Sequence, residues 1–330
     1  MSVKKYNLAI VGATGMVGRM FLKVLEERDL PIEKLYLFSS IRSAGTKVLF
    51  KGKELIVEEL KEESFNREID IALFSAGGDI SKKYAPIASS KGVTVIDNSS
   101  AWRMDDKVPL IVPEVNPEEI IKNTGIIANP NCSTIQSVVP LKIIDKLYGI
   151  KRVIYSTYQA VSGSGVKGVR DLEEGLKGNK PTNYPHPIVN NCLPHIDSFL
   201  DNNYTKEEEK MINETRKILG KPNLAVTATC VRVPVMNAHS ISINVELERS
   251  PDLEELREVL SKTKGIILED DIRENKYPMA INADGKDEVF VGRLRKDFSI
   301  ENGLNLWVVA DNIRKGAATN TIQIAELLMQ

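Results

Sequence analysis

Cysteine and histidine are both scarce in this chain of 330 residues, which has three of each. An odd number of cysteines without closely spaced pairs excludes a disulfide framework and a CxxC metal site. We therefore expect reduced thiols and no bound metal. Any reaction that needs an imidazole must use His186, His195 or His239.

Long apolar runs and an excess of charge of one sign are also absent. No stretch reaches the ~18 uncharged apolar residues that a membrane span requires. Lys plus Arg number 44 and Asp plus Glu 45, so the net charge is only -1. Nucleic acids and anionic membranes are therefore poor partners, and small molecules are favoured. The apolar run after Lys5 is too short for a secretory signal, so we expect a cytoplasmic protein.

The apolar pattern predicts two regions of different fold. In the first half, strand-like runs alternate with helical periodicity, as in an open parallel sheet covered on both faces. The strands predicted there are 7–11, 35–38, 69–74, 93–96 and 126–128, and the helices are 17–27 and 80–90. The pattern after Gly149 predicts a second, α+β domain, with strands at 153–160, 224–231, 240–248, 289–294 and 304–310.

A glycine-rich loop, Gly12-Ala-Thr-Gly15-Met-Val-Gly18, joins the first predicted strand to the first predicted helix. Glycines allow a tight turn, and the start of a helix offers N–H groups to a pyrophosphate. The G-x-x-G-x-x-G spacing favours an extended variant of the Rossmann-type, doubly wound, mostly parallel sheet. The alternative is a turn that needs glycine and binds nothing.

The end of the second predicted strand favours NADP over NAD. NAD sites usually place an acidic residue there to hold the ribose 2′-hydroxyl. This chain has Arg42, with Ser39 and Ser43 beside it. A guanidinium and hydroxyl groups suit a 2′-phosphate. A solvated basic loop is the alternative.

Cys132 lies where a predicted strand ends and a predicted helix begins, and Ser133 or Thr134 is the expected N-cap. A helix start favours the thiolate relative to an ordinary thiol, whose pKa is about 8.5. It can also stabilise an oxyanion on an attacked carbonyl. The alternative is a small buried residue, which describes Cys230 within a predicted strand. Cys192 has no local feature either way.

Among the histidines, His239 is the best candidate for an acid or base that works with Cys132. It follows a loop and precedes a strand, a position that commonly carries catalysis. His186 and His195 lie in a Pro- and Asn-rich excursion. Cys–His pairs recur wherever a thiol attacks a carbonyl.

Taken together, these segments resemble the aspartate-β-semialdehyde dehydrogenase family over nearly the whole chain. The motifs that carry the resemblance are GATGMVG from Gly12, FSAGG from Phe74, NPNCSTIQ from Asn129, STYQAVSGSG from Ser156, RVPVMNAHS from Arg232, VGRLRKD from Val291 and WVVADNIRKGAA from Trp307. The resemblance implies an NADP-binding domain at 1–131, joined by a C-terminal helix at 313–330. It also implies a catalytic and dimerisation domain at 132–312 and assembly into homodimers or homotetramers.

The resemblance further implies a role for each matching residue. Cys132 is the acyl-thioester nucleophile, His239 moves the proton and Gln159 hydrogen-bonds the substrate. The implied phosphate-binding residues are Arg103, Asn131 and Lys210. Glu207 is implied to bind the substrate ammonium, with Glu208 as the alternative, and Arg232 to bind the substrate carboxylate. The implied NADP-binding residues are Gly12, Thr14, Gly15, Met16, Val17, Ser39, Arg42, Ser43, Ser75, Ser162, Gly163 and Asn312.

The implied activity is the NADPH-dependent reductive dephosphorylation of L-aspartyl-4-phosphate to L-aspartate 4-semialdehyde, in the biosynthesis of lysine, threonine and methionine. N-acetyl-γ-glutamyl-phosphate reductase is one alternative, although an acid such as Glu207 has no ammonium to bind on an acylated amine. Malonyl-CoA reduction and a non-catalytic NADP-binding protein are the others.

Overall fold

The computed structural model describes residues 4–330, which divide into two compact units. The first unit holds the described residues up to Pro130 together with Ala317–Gln330, and the second holds Asn131–Gly316. In chain order the strands are β1 Tyr6–Val11, β2 Ile32–Ser39, β3 Lys47–Phe50, β4 Lys53–Ile56, β5 Glu58–Glu59, β6 Ile71–Phe74, β7 Thr94–Asp97, β8 Ile126–Ala128, β9 Ile150–Gln159, β10 Ala225–Arg232, β11 His239–Leu247, β12 Ile266–Leu268, β13 Val289–Asp297 and β14 Gly303–Ala310. The helices are α1 Met16–Glu27, α2 Gly78–Ser90, α3 Cys132–Tyr148, α4 Gly165–Leu176, α5 Lys206–Ile218, α6 Leu253–Lys262, α7 Ala280–Ala283 and α8 Asn320–Met329.

The first unit is built on a six-stranded sheet in the order β5-β2-β1-β6-β7-β8. Every neighbouring pair in it is parallel. Leu37 packs into a core cluster with residues of α1 and α8. The next residue, Phe38, points to the opposite face and contacts Phe65 with ring centroids 6.1 Å apart. Side chains cover both faces, so the predicted doubly wound parallel sheet is confirmed.

The structure of the first unit differs from the sequence prediction most clearly in one strand boundary and in one hairpin. Strand β2 begins at Ile32, whereas the predicted strand begins at residue 35. The sequence pattern misses the first three residues because they are partly exposed and do not form an apolar run. The hairpin of β3 and β4 was not predicted. Its turn, Lys51-Gly52, places both residues at positive φ, as the two-residue turns of hairpins require.

Two glycines, one in the loop between β1 and α1 and one within α1, are required by close packing of the backbone. A Cβ on Gly12, whose φ is +90°, would lie 2.2 Å from the carbonyl oxygen of Ser75. A Cβ on Gly18 would lie 2.2 Å from the carbonyl oxygen of Gly12. Gly12 therefore lets the segment after β6 approach the loop, and Gly18 lets the first turns of α1 pack against it.

The second unit is built on a mixed six-stranded sheet in the order β10-β9-β11-β14-β13-β12. The pairs β10/β9 and β12/β13 are parallel, and the other three are antiparallel. Along β11, buried residues alternate with half-buried ones, in agreement with the alternating apolar sequence. Together with α3 to α6, this sheet confirms the predicted second α+β domain.

The close contact at Gly18 generates a stability prediction. Gly18→Ala should lower the free energy of unfolding by about 1–3 kcal/mol, because the added methyl group forces the backbone of the glycine loop to move. Gly78→Ala is the control, since a Cβ at this first residue of α2 would meet nothing within 4 Å. We expect it to change stability by less than about 0.5 kcal/mol. Equilibrium urea unfolding measures both; equal stability of the two variants would contradict the packing argument.

Candidate active site

Helix α3 of the second unit begins at Cys132, which is half-buried. Its N-cap is Asn131, whose side-chain oxygen accepts hydrogen bonds from the backbone N–H groups of Ser133 at 2.9 Å and Thr134 at 3.3 Å. The expectation that Ser133 or Thr134 is the cap was therefore wrong. Both already lie within the helix, and the backbone of Asn131 is extended, as an N-cap residue requires.

The side-chain amide of Asn131 also contacts the carboxylate of Glu207. Its Nδ2 donates to Oε1 of Glu207 at 2.9 Å, and Nε2 of Gln159 donates to the same oxygen at 3.2 Å. The Nζ of Lys210 lies 3.2 Å from Oε2 of Glu207 and 2.8 Å from Oδ2 of Asp197. Burial raises the pKa of Glu207, but the ammonium of Lys210 and the amide of Asn131 outweigh it, so the net shift is downward. Glu207 is thus a buried anion.

The neighbouring acid, Glu208, has different partners. Its Oε2 accepts from the backbone N–H of Thr205 at 2.7 Å, and the hydroxyl of Thr205 accepts from the N–H of Glu208 at 3.3 Å. Its Oε1 accepts from the N–H of Cys230 on β10 at 3.0 Å. Glu208 therefore caps α5 and joins it to the sheet, and Glu207 is the acid that contacts Asn131. The sequence Thr-x-x-Glu is a capping-box pattern that predicts this arrangement.

Arg232 ends β10 beside Gln159, its register partner on β9. The guanidinium is buried, and its Nη1 donates to the carbonyl oxygen of Ala160 at 2.7 Å. Its Nε has no hydrogen-bond partner among the residues described. A Cβ on Gly163 would lie 2.8 Å from Nη1, so only glycine leaves the guanidinium its present position.

His239 is fully buried at the start of β11. Its Nδ1 accepts a hydrogen bond from the N–H of Ala160 at 3.0 Å, which places the proton of the neutral ring on Nε2. Nε2 has no hydrogen-bond partner within residues 4–330. Burial, and then the charge of Arg232, lower the pKa of His239 well below 6.5, so the imidazole is neutral at physiological pH. His195, in contrast, stacks on Phe199 with ring centroids 4.3 Å apart.

Asn312 connects two further segments of the second unit. Its Nδ2 donates to the hydroxyl of Ser162 at 3.0 Å, and its Oδ1 accepts from the N–H of Ala238 at 3.0 Å. Ala238 directly precedes His239 and has a φ of +66°, which a residue with a side chain rarely adopts. The Asn312 amide thus stabilises an unfavourable backbone conformation next to the imidazole.

The other two cysteines lie in other environments. Cys230 is buried in β10, and burial raises the pKa of its thiol. Cys192 is exposed. Cys132, Cys192 and Cys230 form no disulfide. Only Cys132 combines partial exposure with a helix start.

In the first unit, the predicted cofactor residues cluster around the glycine loop. The hydroxyl of Thr14 lies 2.9 Å from that of Ser39 and 3.3 Å from that of Ser43. The N-cap of α1 is Gly15, which has no side chain to cap the helix, so the N–H groups of the first turn, at Met16 and Val17, are suited to an anion. Gly12 allows the backbone at Ser75 to lie directly against this loop, so both segments meet next to the start of α1. Arg42 is exposed in a short turn after β2.

Arg103 also belongs to the first unit and is buried there. Its Nε donates to the carbonyl oxygen of Asn129 at 3.0 Å, and its Nη2 donates to that of Asn98 at 2.8 Å. The guanidinium therefore holds the segment that leads into Asn131.

Residues 4–330 contain no group of three His, Cys, Asp or Glu side chains arranged to hold a metal ion. None of their helices has both the length and the apolar character needed to cross a membrane.

Comparison with known proteins identifies the family. Residues 7–123 match the family model described as semialdehyde dehydrogenase, NAD binding domain, and residues 141–315 match semialdehyde dehydrogenase, dimerisation domain. An aspartate-semialdehyde dehydrogenase of Aquifex aeolicus (strain VF5) is 58% identical, with 98% of each chain covered. The chain belongs to the aspartate-semialdehyde dehydrogenase family. This confirms the family resemblance stated from the sequence motifs.

Two solved structures of family members are similar to this chain along almost its whole length. Aspartate semialdehyde dehydrogenase II from Vibrio cholerae, complexed with ASA, is 48% identical, with a TM-score of 0.95 and 98% of each chain covered. Aspartate semialdehyde dehydrogenase with NADP from Candida albicans is 27% identical, with a TM-score of 0.80 and 98% of each chain covered. Family membership therefore extends to both the NAD-binding and the dimerisation domain.

The buried imidazole generates a prediction about pH. As the pH falls through 6.5, the unfolded chain takes up a proton at His239 that the folded protein does not bind. Stability should therefore fall from about pH 7.5 to about pH 5.5, and His239→Asn should show a smaller fall because it lacks this group. His186→Asn, which removes an exposed imidazole, should keep the wild-type slope. Urea unfolding at several pH values tests this, and identical slopes for the wild type and His239→Asn would contradict it.

Proposed function

We propose that this protein reduces L-aspartyl-4-phosphate to L-aspartate 4-semialdehyde with NADPH, through a thioester on Cys132. The observation that carries the proposal is the network in which Asn131 caps the helix of Cys132 and hydrogen-bonds the buried Glu207. It places the first residue of α3 near an anion suited to a substrate ammonium. We propose that this reaction serves the biosynthesis of lysine, threonine and methionine.

Cys132 is the proposed nucleophile. As the first residue of α3 it lies at the positive end of the helix dipole, where a thiolate and the oxyanion of an attacked acyl group are both stabilised. Its attack on the acyl phosphate releases phosphate and leaves a thioester. Covalent catalysis of this kind divides one difficult step into two easier ones.

Substrate recognition is proposed for the buried charges of the second unit. Glu207 would bind the ammonium and Arg232 the carboxylate, through the Nε that has no partner among the described side chains and backbone groups. Lys210, Asn131 and Arg103 are proposed for the phosphate. A buried anion is well suited to bind an ammonium. An N-acetyl group carries no charge and could not neutralise that anion. This favours the aspartyl over the N-acetylglutamyl substrate.

His239 and Gln159 are proposed to act on the reacting carbonyl. The N–H of Ala160 holds the ring through Nδ1, so Nε2 is the atom that can hold or move a proton at the carbonyl oxygen. The depressed pKa of His239 keeps the ring neutral at pH 7. Gln159, which already donates to Glu207, is the proposed hydrogen-bonding partner of the substrate.

NADP is the proposed cofactor, and it supplies the hydride when bound. Gly12, Gly15, Thr14, Met16, Val17 and Ser75 would hold the pyrophosphate side of the molecule. Ser39, Arg42 and Ser43 would hold the 2′-phosphate, where a guanidinium and hydroxyls are appropriate ligands. Ser162, Gly163 and Asn312 are proposed for the nicotinamide. We propose the corresponding functional division as 1–131 with 313–330 and 132–312.

We also propose that the protein is a homodimer or homotetramer assembled through the second unit. The matched dimerisation model covers residues 141–315. One face of the mixed sheet carries a cavity of about 540 Å³. The exposed side chains of Tyr158, Tyr277 and Met279 line it together with polar residues that include Arg293 and Arg295. Such a face suits a second copy of the chain.

The activity is tested by phosphate-dependent NADP reduction with aspartate semialdehyde and N-acetylglutamate semialdehyde offered in parallel. We expect turnover with the former only. Cys132→Ala should lower kcat by about a thousandfold or more while NADP still binds, because only the nucleophile is lost. Cys192→Ala, at an exposed cysteine, should retain wild-type activity.

Other outcomes of this assay decide between the alternatives. Turnover only with the N-acetylated aldehyde would overturn the proposed role of Glu207. Inactivity with both, despite NADP binding, would favour the malonyl-CoA or non-catalytic alternatives. Full activity of Cys132→Ala would exclude the thioester.

Cofactor selectivity is tested with Arg42→Ala. Loss of the guanidinium should raise the Kd of NADP by about 10- to 100-fold, as expected for the loss of one charged hydrogen-bonding group. The Kd of NAD should stay within about threefold of the wild-type value. Arg273→Ala, at an exposed arginine of the second unit, is the control and should change neither value. Fluorescence titration measures both constants. Equal weakening of NADP and NAD would place the 2′-phosphate elsewhere.

A further inference from the structure

Gln136 is a fully buried polar residue of α3 that no part of the proposed mechanism uses. It lies four residues after Cys132, so both side chains project from the same face of the helix. Its Nε2 donates to the carbonyl oxygen of His239 at 3.0 Å and lies 3.5 Å from that of Val308. One side chain therefore joins the helix that begins with Cys132 to the first residue of β11.

The imidazole of His239 is restrained at two points. The N–H of Ala160 holds the ring at Nδ1, and the amide of Gln136 holds the backbone carbonyl of the same residue. The first contact fixes the rotation of the ring. The second fixes the position of the His239 backbone relative to α3.

Burial of Gln136 destabilises the fold, so packing alone does not explain why a glutamine occupies this position. Its Oε1 is buried and has no hydrogen-bond partner among the described residues. An unsatisfied buried acceptor destabilises a fold, whereas an apolar side chain of similar length fills the same space without that cost. The neighbouring buried polar residue, Ser137, satisfies its hydroxyl within the helix by donating to the carbonyl oxygen of Ser133 at 2.8 Å.

We propose that Gln136 is a positioning residue, which sets the approach of the His239 imidazole to the Cys132 thiol by tying the backbone of His239 to α3. The inference rests on the proposed roles of Cys132 and His239. Displacements of about 1 Å between reacting groups lower rates by about a hundredfold, so one hydrogen bond between their two elements is a sensitive point.

The test is a double-mutant cycle between Gln136→Met and His239→Asn. Methionine has nearly the length of glutamine but no N–H group. We expect Gln136→Met to lower kcat by about 10- to 100-fold, with KM for aspartate semialdehyde and for NADP within about threefold. In the His239→Asn background the same substitution should change kcat by less than about twofold, because it acts through the imidazole.

A second readout does not depend on the substrate. Alkylation of Cys132 by iodoacetamide, followed by mass spectrometry to separate it from exposed Cys192, should be slowed by His239→Asn and by Gln136→Met. The two together should slow it no further. If the wild type fails to turn over aspartate semialdehyde, the proposed function falls, and the alkylation cycle still decides the role of Gln136.

Two further variants separate positioning from folding. Ser137→Ala removes a hydrogen bond internal to the same helix and should leave both readouts near wild type. Gln136→Glu preserves the shape, but its carboxylate would face a carbonyl oxygen, so kcat relative to wild type should recover as the pH is lowered and the carboxyl group can donate. This recovery also serves where Gln136→Met does not fold.

Three results would overturn the proposal. One is that Gln136→Met lowers kcat by the same factor in the wild type and in the His239→Asn variant. Another is a His239→Asn variant that is alkylated at the wild-type rate, because there is then no coupling for Gln136 to maintain. The third is a Gln136→Glu variant whose activity relative to wild type does not change with pH.

Discussion

The second unit depends on the side-chain amide of Asn131. Its oxygen begins α3 by accepting two backbone N–H groups, and its nitrogen donates to the carboxylate of Glu207. The oxygen therefore determines where the helix of Cys132 starts, and the nitrogen stabilises a buried anion that otherwise resists burial. No aspartate could replace it, since a carboxylate has no N–H to offer Glu207.

Around this amide, burial affects the charged groups in opposite ways. Burial alone raises the pKa of Glu207, yet Lys210 and the amide of Asn131 keep it ionised. Burial lowers the pKa of His239 and the charge of Arg232 lowers it further, so the imidazole stays neutral. The charge of Arg232 lowers the pKa of both groups, so it favours the anion at Glu207 and the neutral ring at His239.

Local sequence patterns predicted those parts of the site that depend on neighbouring residues. The glycine loop predicted a tight turn within a Rossmann-type sheet, since strand, glycines and helix are consecutive. The strand-to-helix junction predicted the start of α3 near Cys132. It gave the wrong cap because Ser133 and Thr134 are good cap residues as well, and only the backbone conformation at Asn131 decides between them. The Thr205–Glu208 pattern could have settled which glutamate faces Asn131.

Contacts between segments far apart in the chain could not be predicted in this way. The restraint on His239 comes from Ala160 and Gln136, 79 and 103 residues away. Nothing in the sequence around either residue indicates these partners, because they follow from the register of β9 against β11 and from the packing of α3 on the sheet. The family resemblance supplied the candidate side chains, but only the fold shows which groups hold them.

Small residues further restrict the positions of Cys132 and His239. A Cβ on Gly316 would lie 2.8 Å from the Cβ of Cys132, and one on Gly163 would lie 3.1 Å from Cε1 of His239. Backbone at these two points approaches the proposed nucleophile and imidazole more closely than any side chain would allow. Ala238 adopts a positive φ immediately before His239 and is held there by Asn312. Unfavourable backbone conformations of this kind persist only where surrounding contacts enforce them, so the fold sacrifices some stability to hold Cys132 and His239 in one arrangement.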